Sequence, residues 1–235
     1  MLTHQVTQLL MQARHTDPPA RRAAVTGLGT LAARPTLDPV QVEAIAEAVI
    51  TAAHDTDPTV RTRAARGLGR LPAARGSEAL AALVIDGDHA TREAAVRALA
   101  QLDPVTAQSV LVSAARHQDA AVRVAALTGL RRLPASGRSV AVLVAALSDD
   151  HHGVQGTAMA GLLAFTARDP RLASTVTGMA REGLGSDRPP LREICLELLY
   201  RLGVPGHRDR CLAALTDPHP RVRWRAVRGL EYAHA

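Results

Sequence analysis

The stretch Asp57 to Leu71, DPTVRTRAARGLGRL, brings together a carboxylate, a Gly-x-Gly at Gly67 and Gly69, and four arginines. A Gly-x-Gly can cradle a phosphate if its backbone N–H groups are free. The arginines can grip a carboxylate or a nucleic-acid backbone. Elsewhere, Asp149, Asp150, His151 and His152 form a run that could ligate a metal. Cys195 could serve as a nucleophile if a base stood beside it. Each of these chemistries needs particular elements to position it.

Those elements follow from a repeat. DPPARRAAVTGLGTL from Asp17, DPTVRTRAARGLGRL from Asp57, DHATREAAVRALAQL from Asp88 and DAAVRVAALTGLRRL from Asp119 align without gaps. With the aspartate as position zero, arginine recurs at +4 (Arg21, Arg61, Arg92, Arg123), and leucine holds +11 and +14. Three looser copies follow near residues 151, 188 and 219, with Gln155 in place of the arginine and then Arg192 and Arg223. Aspartate before proline is a helix cap followed by a residue that needs no N–H partner. At 100° per residue, +3, +7, +10, +11 and +14 share one apolar face. A second apolar stretch precedes each copy, for example VQVEAIAEAVITAAH ending at His54. Each unit therefore reads as helix, turn, helix, and neither helix can bury its face unless the units stack.

This placement decides the first question. Gly67 lies inside a helical pattern, where backbone N–H groups are already committed, so glycine at +10 (Gly27, Gly67, Gly129, Gly229) is expected to let helices approach closely. The Asp–His run lacks a second pair of ligands at metal spacing. Cys195 falls at the buried +7 position with no histidine apparent as its base.

Composition agrees with an all-helical chain. Its 235 residues are 47% hydrophobic but only 2% aromatic, and alanine and leucine are strong helix formers. No lysine occurs, so all 28 basic residues are arginine, and the formal charge is +6. Two cysteines, Cys195 and Cys211, suggest a reducing compartment. The first residues lack the pattern of a signal peptide, and no run is apolar enough to span a bilayer. A cytoplasmic location and no membrane partner are expected.

The pattern resembles the HEAT repeat, in particular the bacterial phycobilisome-lyase HEAT-like form, D-x-x-V-R-x-x-A-A-x-x-L-G-x-L. The resemblance implies a right-handed α-solenoid of about seven repeats, a single domain over 1–235, with second helices lining the concave side. It also implies that Asp57, Asp88 and Asp119 form a structural ladder with Arg61, Arg92 and Arg123 between neighbouring repeats.

Setting the ladder aside leaves the charge on the outward face of the second helices. Positions +2, +5, +9 and +13 there carry Arg66, Arg70, Arg97, Arg132, Arg201 and Arg228, with Arg131 at the edge and Glu93 and Glu197 interspersed. The last copy groups Trp224, Arg225, Arg228 and Tyr232, and arginine beside an aromatic is common at interaction hot spots. Arg225 at +6 also suits a polar end cap. These residues are the candidates for partner binding. The expected function is a non-catalytic scaffold for a protein of acidic or mixed surface, with no cofactor and no metal. Alternatives are a nucleic-acid binder, such as a relative of the HEAT-like alkylpurine DNA glycosylases, or a chromophore-lyase subunit.

Overall fold

The computed structural model describes residues 2–34 and 37–232, with the side chains of residues 2, 73, 74 and 232 outside the description. Tyr232, a candidate from sequence, therefore has a side chain beyond the described residues. Among those residues there are fourteen helices and no strand. They divide into two compact units, Met1–Leu133 and Pro134–Ala235.

The first unit holds α1 (Leu2–Gln12), α2 (Pro18–Leu31), α3 (Pro39–Ala52) and α4 (Pro58–Leu68). It continues with α5 (Ala73–Val84), α6 (His89–Leu99), α7 (Pro104–Ala114) and α8 (Ala120–Leu130). The second unit holds α9 (Gly137–Ala146), α10 (His152–Arg168), α11 (Leu172–Gly183), α12 (Pro189–Arg201), α13 (His207–Ala214) and α14 (Pro220–Tyr232). Each odd-numbered helix packs against the even-numbered helix that follows it, forming a hairpin. Within each unit the even-numbered helices also pack on one another, as α2 on α4, α4 on α6 and α6 on α8.

Local chemistry sets the starts of these helices. Asp17, Asp57, Asp88 and Asp119 cap α2, α4, α6 and α8, their carboxylates accepting N–H groups of the first turn. A cap of this kind contributes roughly 1 kcal/mol. His151 does the same for α10, its Nδ1 accepting the Gly153 N–H. The core consists of the periodic apolar positions, with Val60, Ala64, Leu68, Ala95, Leu99, Leu127 and Leu130 all buried. Small residues at these positions let the helices approach closely. A Cβ added to Gly29 on α2 would stand 2.8 Å from the Gly67 Cα on α4.

The ladder differs from the one expected. Arg21 Nε and Nη2 donate to both carboxylate oxygens of Asp55 at 2.6 and 2.8 Å. Arg61 does the same to Asp86 at 2.7 and 3.0 Å, and Arg192 to Asp217 at 2.8 Å for both. The acid of each rung therefore lies two residues ahead of the cap, and Asp57 and Asp88 serve their own helices instead. Each upstream aspartate also accepts the backbone N–H of the capping residue: Asp55 from Asp57, Asp86 from Asp88, Asp217 from His219. The third guanidinium nitrogen turns back to its own hairpin, so Arg61 Nη1 donates to the carbonyls of Asp55 and Thr56. One arginine thus closes its own turn and joins the next hairpin. Arg123 likewise donates to the carbonyls of His117 and Gln118, and Asp119 accepts the Ala121 N–H.

Candidate partner-binding site

In each unit the even-numbered helices carry exposed arginines. In the first unit, Arg66 and Arg70 from the end of α4 meet Arg97 of α6 around a cavity of about 210 Å³, floored by Ala94 and Ala98. Arg66 is exposed and ends the helix at its negative pole, a favourable place for a cation. Arg70 donates to the Gly29 carbonyl at 3.2 Å, and Arg97 pairs with Glu93 one turn earlier at 2.5 Å. Arg132 is exposed just past α8 and lines a separate cavity, while Arg131 is half-buried and belongs to neither.

The second unit brings together Arg201, Trp224, Arg225 and Arg228. They line a cavity of about 280 Å³ with Leu196, Glu197, Tyr200 and His207. Trp224 is 55% exposed, unusual for so large an apolar ring. The guanidinium carbons of Arg225 and Arg228 stand 5.4 and 5.7 Å from its ring centre, within range of a cation–π attraction. Tyr200 packs against the His207 ring, with centroids 4.8 Å apart.

Acids of α12 and α14 hold these arginines in place. Arg225 pairs with Glu193 at 3.4 Å and Glu197 at 2.9 Å, and Arg201 pairs with Glu197 at 2.8 Å. Arg221 meets Glu193 at 3.1 Å, and Arg228 meets Glu231 at 3.5 Å. Arg225 therefore does not act as the outward cap expected from position +6. It turns back onto α12 and fixes one side of the tryptophan.

A cysteine–histidine pair that the repeat pattern does not reveal lies on α13. His207 and Cys211, one turn apart on α13, place Nε2 and Sγ at 3.2 Å. That spacing is the geometry of a nucleophile and its base, but the environment opposes the charge separation. Burial raises the Cys211 thiol pKa and lowers that of His207, so both neutral forms are favoured. Cys195 is pushed up to about 12 by burial alone. Neither sulfur is poised as a thiolate.

The Asp–His run is also engaged by its surroundings. Asp149 accepts the His151 N–H, and Asp150 pairs with Arg188 at 2.5 Å. Arg221 donates to His152 Nε2 at 2.8 Å, so Nδ1 carries the proton and donates to Gln155 Oε1. Among the described residues, no helix is long and apolar enough to cross a membrane.

A family model described as HEAT repeats matches residues 6–100, 45–121 and 78–163, more than half of the chain taken together. No curated protein matches it. Among solved structures, Kap121p aligns over 97% of this chain with a TM-score of 0.67 at 14% identity. Kap121p bound to Nup53p gives the same values. The chain covers 29% of Kap121p, and at this identity the likeness concerns the fold. An engineered protein aligns over 96% of this chain and 97% of its own at 20% identity, with a TM-score of 0.46. Paired helices, capped turns and arginine–aspartate rungs agree with the family match, and the chain belongs to the HEAT repeats, an all-α solenoid family.

Proposed function

We propose that this protein is a non-catalytic binding scaffold, engaging a protein of acidic or mixed surface through its even-numbered helices. The observation that carries this reading is Trp224, an exposed ring flanked by two guanidiniums beside a cavity. Aromatic and arginine side chains of this kind supply most of the energy at protein interfaces. Arg66, Arg70 and Arg97 would add attraction at longer range, raising the association rate more than the affinity. Kap121p, which shares the fold, is seen bound to Nup53p and to Pho4p, and this supports a protein partner.

The interleaved acids favour a protein over a nucleic-acid backbone. Glu93, Glu193, Glu197 and Glu231 each sit against an arginine of the face, so a uniform row of phosphates would meet repulsion as well as attraction. The test compares capture of partners from native extract by the wild type, Trp224→Ala, and Arg66→Glu with Arg97→Glu. Loss of the same captured protein in these variants, with unchanged melting, supports the scaffold. A duplex that binds with a log–log salt slope of about −0.9 per phosphate neutralised would favour nucleic acid instead.

A further inference from the structure

One rung of the ladder has its cation and lacks its acid. Arg92 occupies the +4 position of α6, but His117 stands two residues ahead of the next cap, where Asp55, Asp86 and Asp217 stand in other hairpins. Histidine replaces aspartate in only one of its two tasks. Its Nδ1 accepts the Asp119 N–H at 3.1 Å, as the aspartates do, but it offers no carboxylate to a guanidinium. Arg92 is 7% exposed, and its Nη1 donates to the carbonyls of Asp86 and Gly87. Its Nε is buried with no hydrogen-bond partner.

The chain resolves another acid-free rung differently. Where Ser186 occupies the upstream position, the preceding hairpin carries neutral Gln155 in place of arginine. At Arg92 the buried cation remains. A buried guanidinium with an unmet donor is costly to keep unless something else meets it.

Arg92 lines a cavity of about 380 Å³ between α6 and α8. Its walls are largely apolar, with Val96, Val124, Ala125 and Thr128, and Arg132 stands at the far end. Nine residues separate Arg132 from the helix level of Arg123, the α8 counterpart of Arg92. That is about 14 Å at 1.5 Å per residue. His89 and Glu93 also face the cavity, and the Glu93 carboxylate is drawn to Arg97. The volume falls in the range of pockets that hold small ligands or single side chains.

We propose that the α6–α8 cavity binds a carboxylate carried on a short aliphatic body, the carboxylate taking the place of the missing rung acid at Arg92. The aliphatic part lies along Val96, Val124 and Ala125. The carboxylate is that of a free acid or of a peptide C-terminus, and the same guanidinium serves both. This site shares no residue with the cavity at Trp224 and does not depend on the partner that binds there.

The test titrates hexanoate and N-acetylleucine, each against its neutral amide, while following the arginine side-chain N–H resonances by NMR. Arg61, whose Nε already donates to Asp86, provides the internal reference. The Arg92 Nε–H resonance is expected to move towards that of Arg61 with one or both acids and with neither amide. Whichever acid acts identifies the source of the carboxylate. His117→Asp supplies the absent acid from within, so it is expected to raise the melting midpoint and weaken acid binding at least tenfold. An Arg92 resonance unmoved by both acids at millimolar concentration overturns the proposal. So does equal binding of acid and amide, or binding that survives in folded His117→Asp.

Discussion

Arg61 and Asp86 meet through two parallel hydrogen bonds, Nε to one carboxylate oxygen at 2.7 Å and Nη2 to the other at 3.0 Å. The two residues belong to successive hairpins, and Arg61 Nη1 simultaneously ties the turn ahead of α4. Both side chains are largely buried, at 19% and 11% exposed, so water competes little for the pair. Asp86→Asn keeps the shape and removes the charge. It is expected to cost about 1.5–3 kcal/mol, the range for hydrogen bonds to charged groups. Urea unfolding of the variant against the wild type measures it.

Two other rungs make stability depend on acid. The side-chain hydrogen bond from Arg21 holds the Asp55 carboxyl below its ordinary value, and that from Arg192 does the same for Asp217. A carboxylate whose pKa is depressed by folding contributes fully above its unfolded value and loses that contribution as pH falls through the folded one. Stability is therefore expected to decline from about pH 5 downward, as unfolded aspartate, with its ordinary value of about 3.9, begins to take up protons. Asp55→Asn with Asp217→Asn should flatten that decline. Urea midpoints between pH 2.5 and 6 provide the check, and a slope unchanged in the double variant would remove the rungs as its cause.

Much of this was legible in the sequence, and the exceptions have physical causes. The +3, +7 and +11 positions fix which face is buried because a 3.6-residue period leaves no alternative, and Val60, Ala64 and Leu68 are accordingly buried. The rung acids were misplaced because Asp55 and Asp57, like Asp86 and Asp88, stand two residues apart. Periodicity cannot say which carboxylate serves its own helix and which reaches the neighbour. The column at the upstream position is further obscured by His15 and His117, which accept the cap N–H with a ring nitrogen instead. Arg225 was read as an outward cap because Glu193, its partner on α12, lies 32 residues away in sequence. The His207–Cys211 spacing was open to reading, but its inertness comes from burial that only packing reveals.

Inside and outside positions should separate cleanly in mutation. Leu68 and Leu99 are fully buried, and truncating either to alanine is expected to cost about 2–5 kcal/mol. Arg66→Glu acts on an exposed side chain and is expected to stay within about 0.5 kcal/mol of the wild type. Arg97→Glu loses the pairing with Glu93 and puts two like charges one turn apart, adding a few tenths of a kcal/mol. Denaturant midpoints at matched slope distinguish the two classes.

Glycines should respond to alanine in opposite directions according to what stands beside them. At Gly156 and Gly178, both within helices, a new Cβ meets nothing within 4 Å. There the substitution is expected to stabilise by up to about 1 kcal/mol through helix propensity. At Gly29 the new Cβ meets the Gly67 Cα of α4 at 2.8 Å, and backbone cannot swing aside as a side-chain tip can. Overpacking of this kind costs about 1–3 kcal/mol, which outweighs the propensity gain. Thermal midpoints that rise for Gly178→Ala and fall for Gly29→Ala would show that close approach of α2 and α4 is the reason for glycine at that position.

The two cysteines test the non-catalytic reading directly. An activated nucleophile is partly thiolate near neutral pH and reacts faster than a free thiol. Cys195, pushed up to about 12, stays protonated throughout the accessible range. Cys211 sits 3.2 Å from His207 Nε2, but burial shifts both groups towards neutrality, and the thiol is fully covered. Iodoacetamide at pH 7.5 is therefore expected to leave both unmodified in the folded protein and to label both once denaturant exposes them, as read by intact mass. Rapid labelling of Cys211 in the native state, abolished in His207→Ala, would reveal an activated thiol and return an enzymatic role to α13.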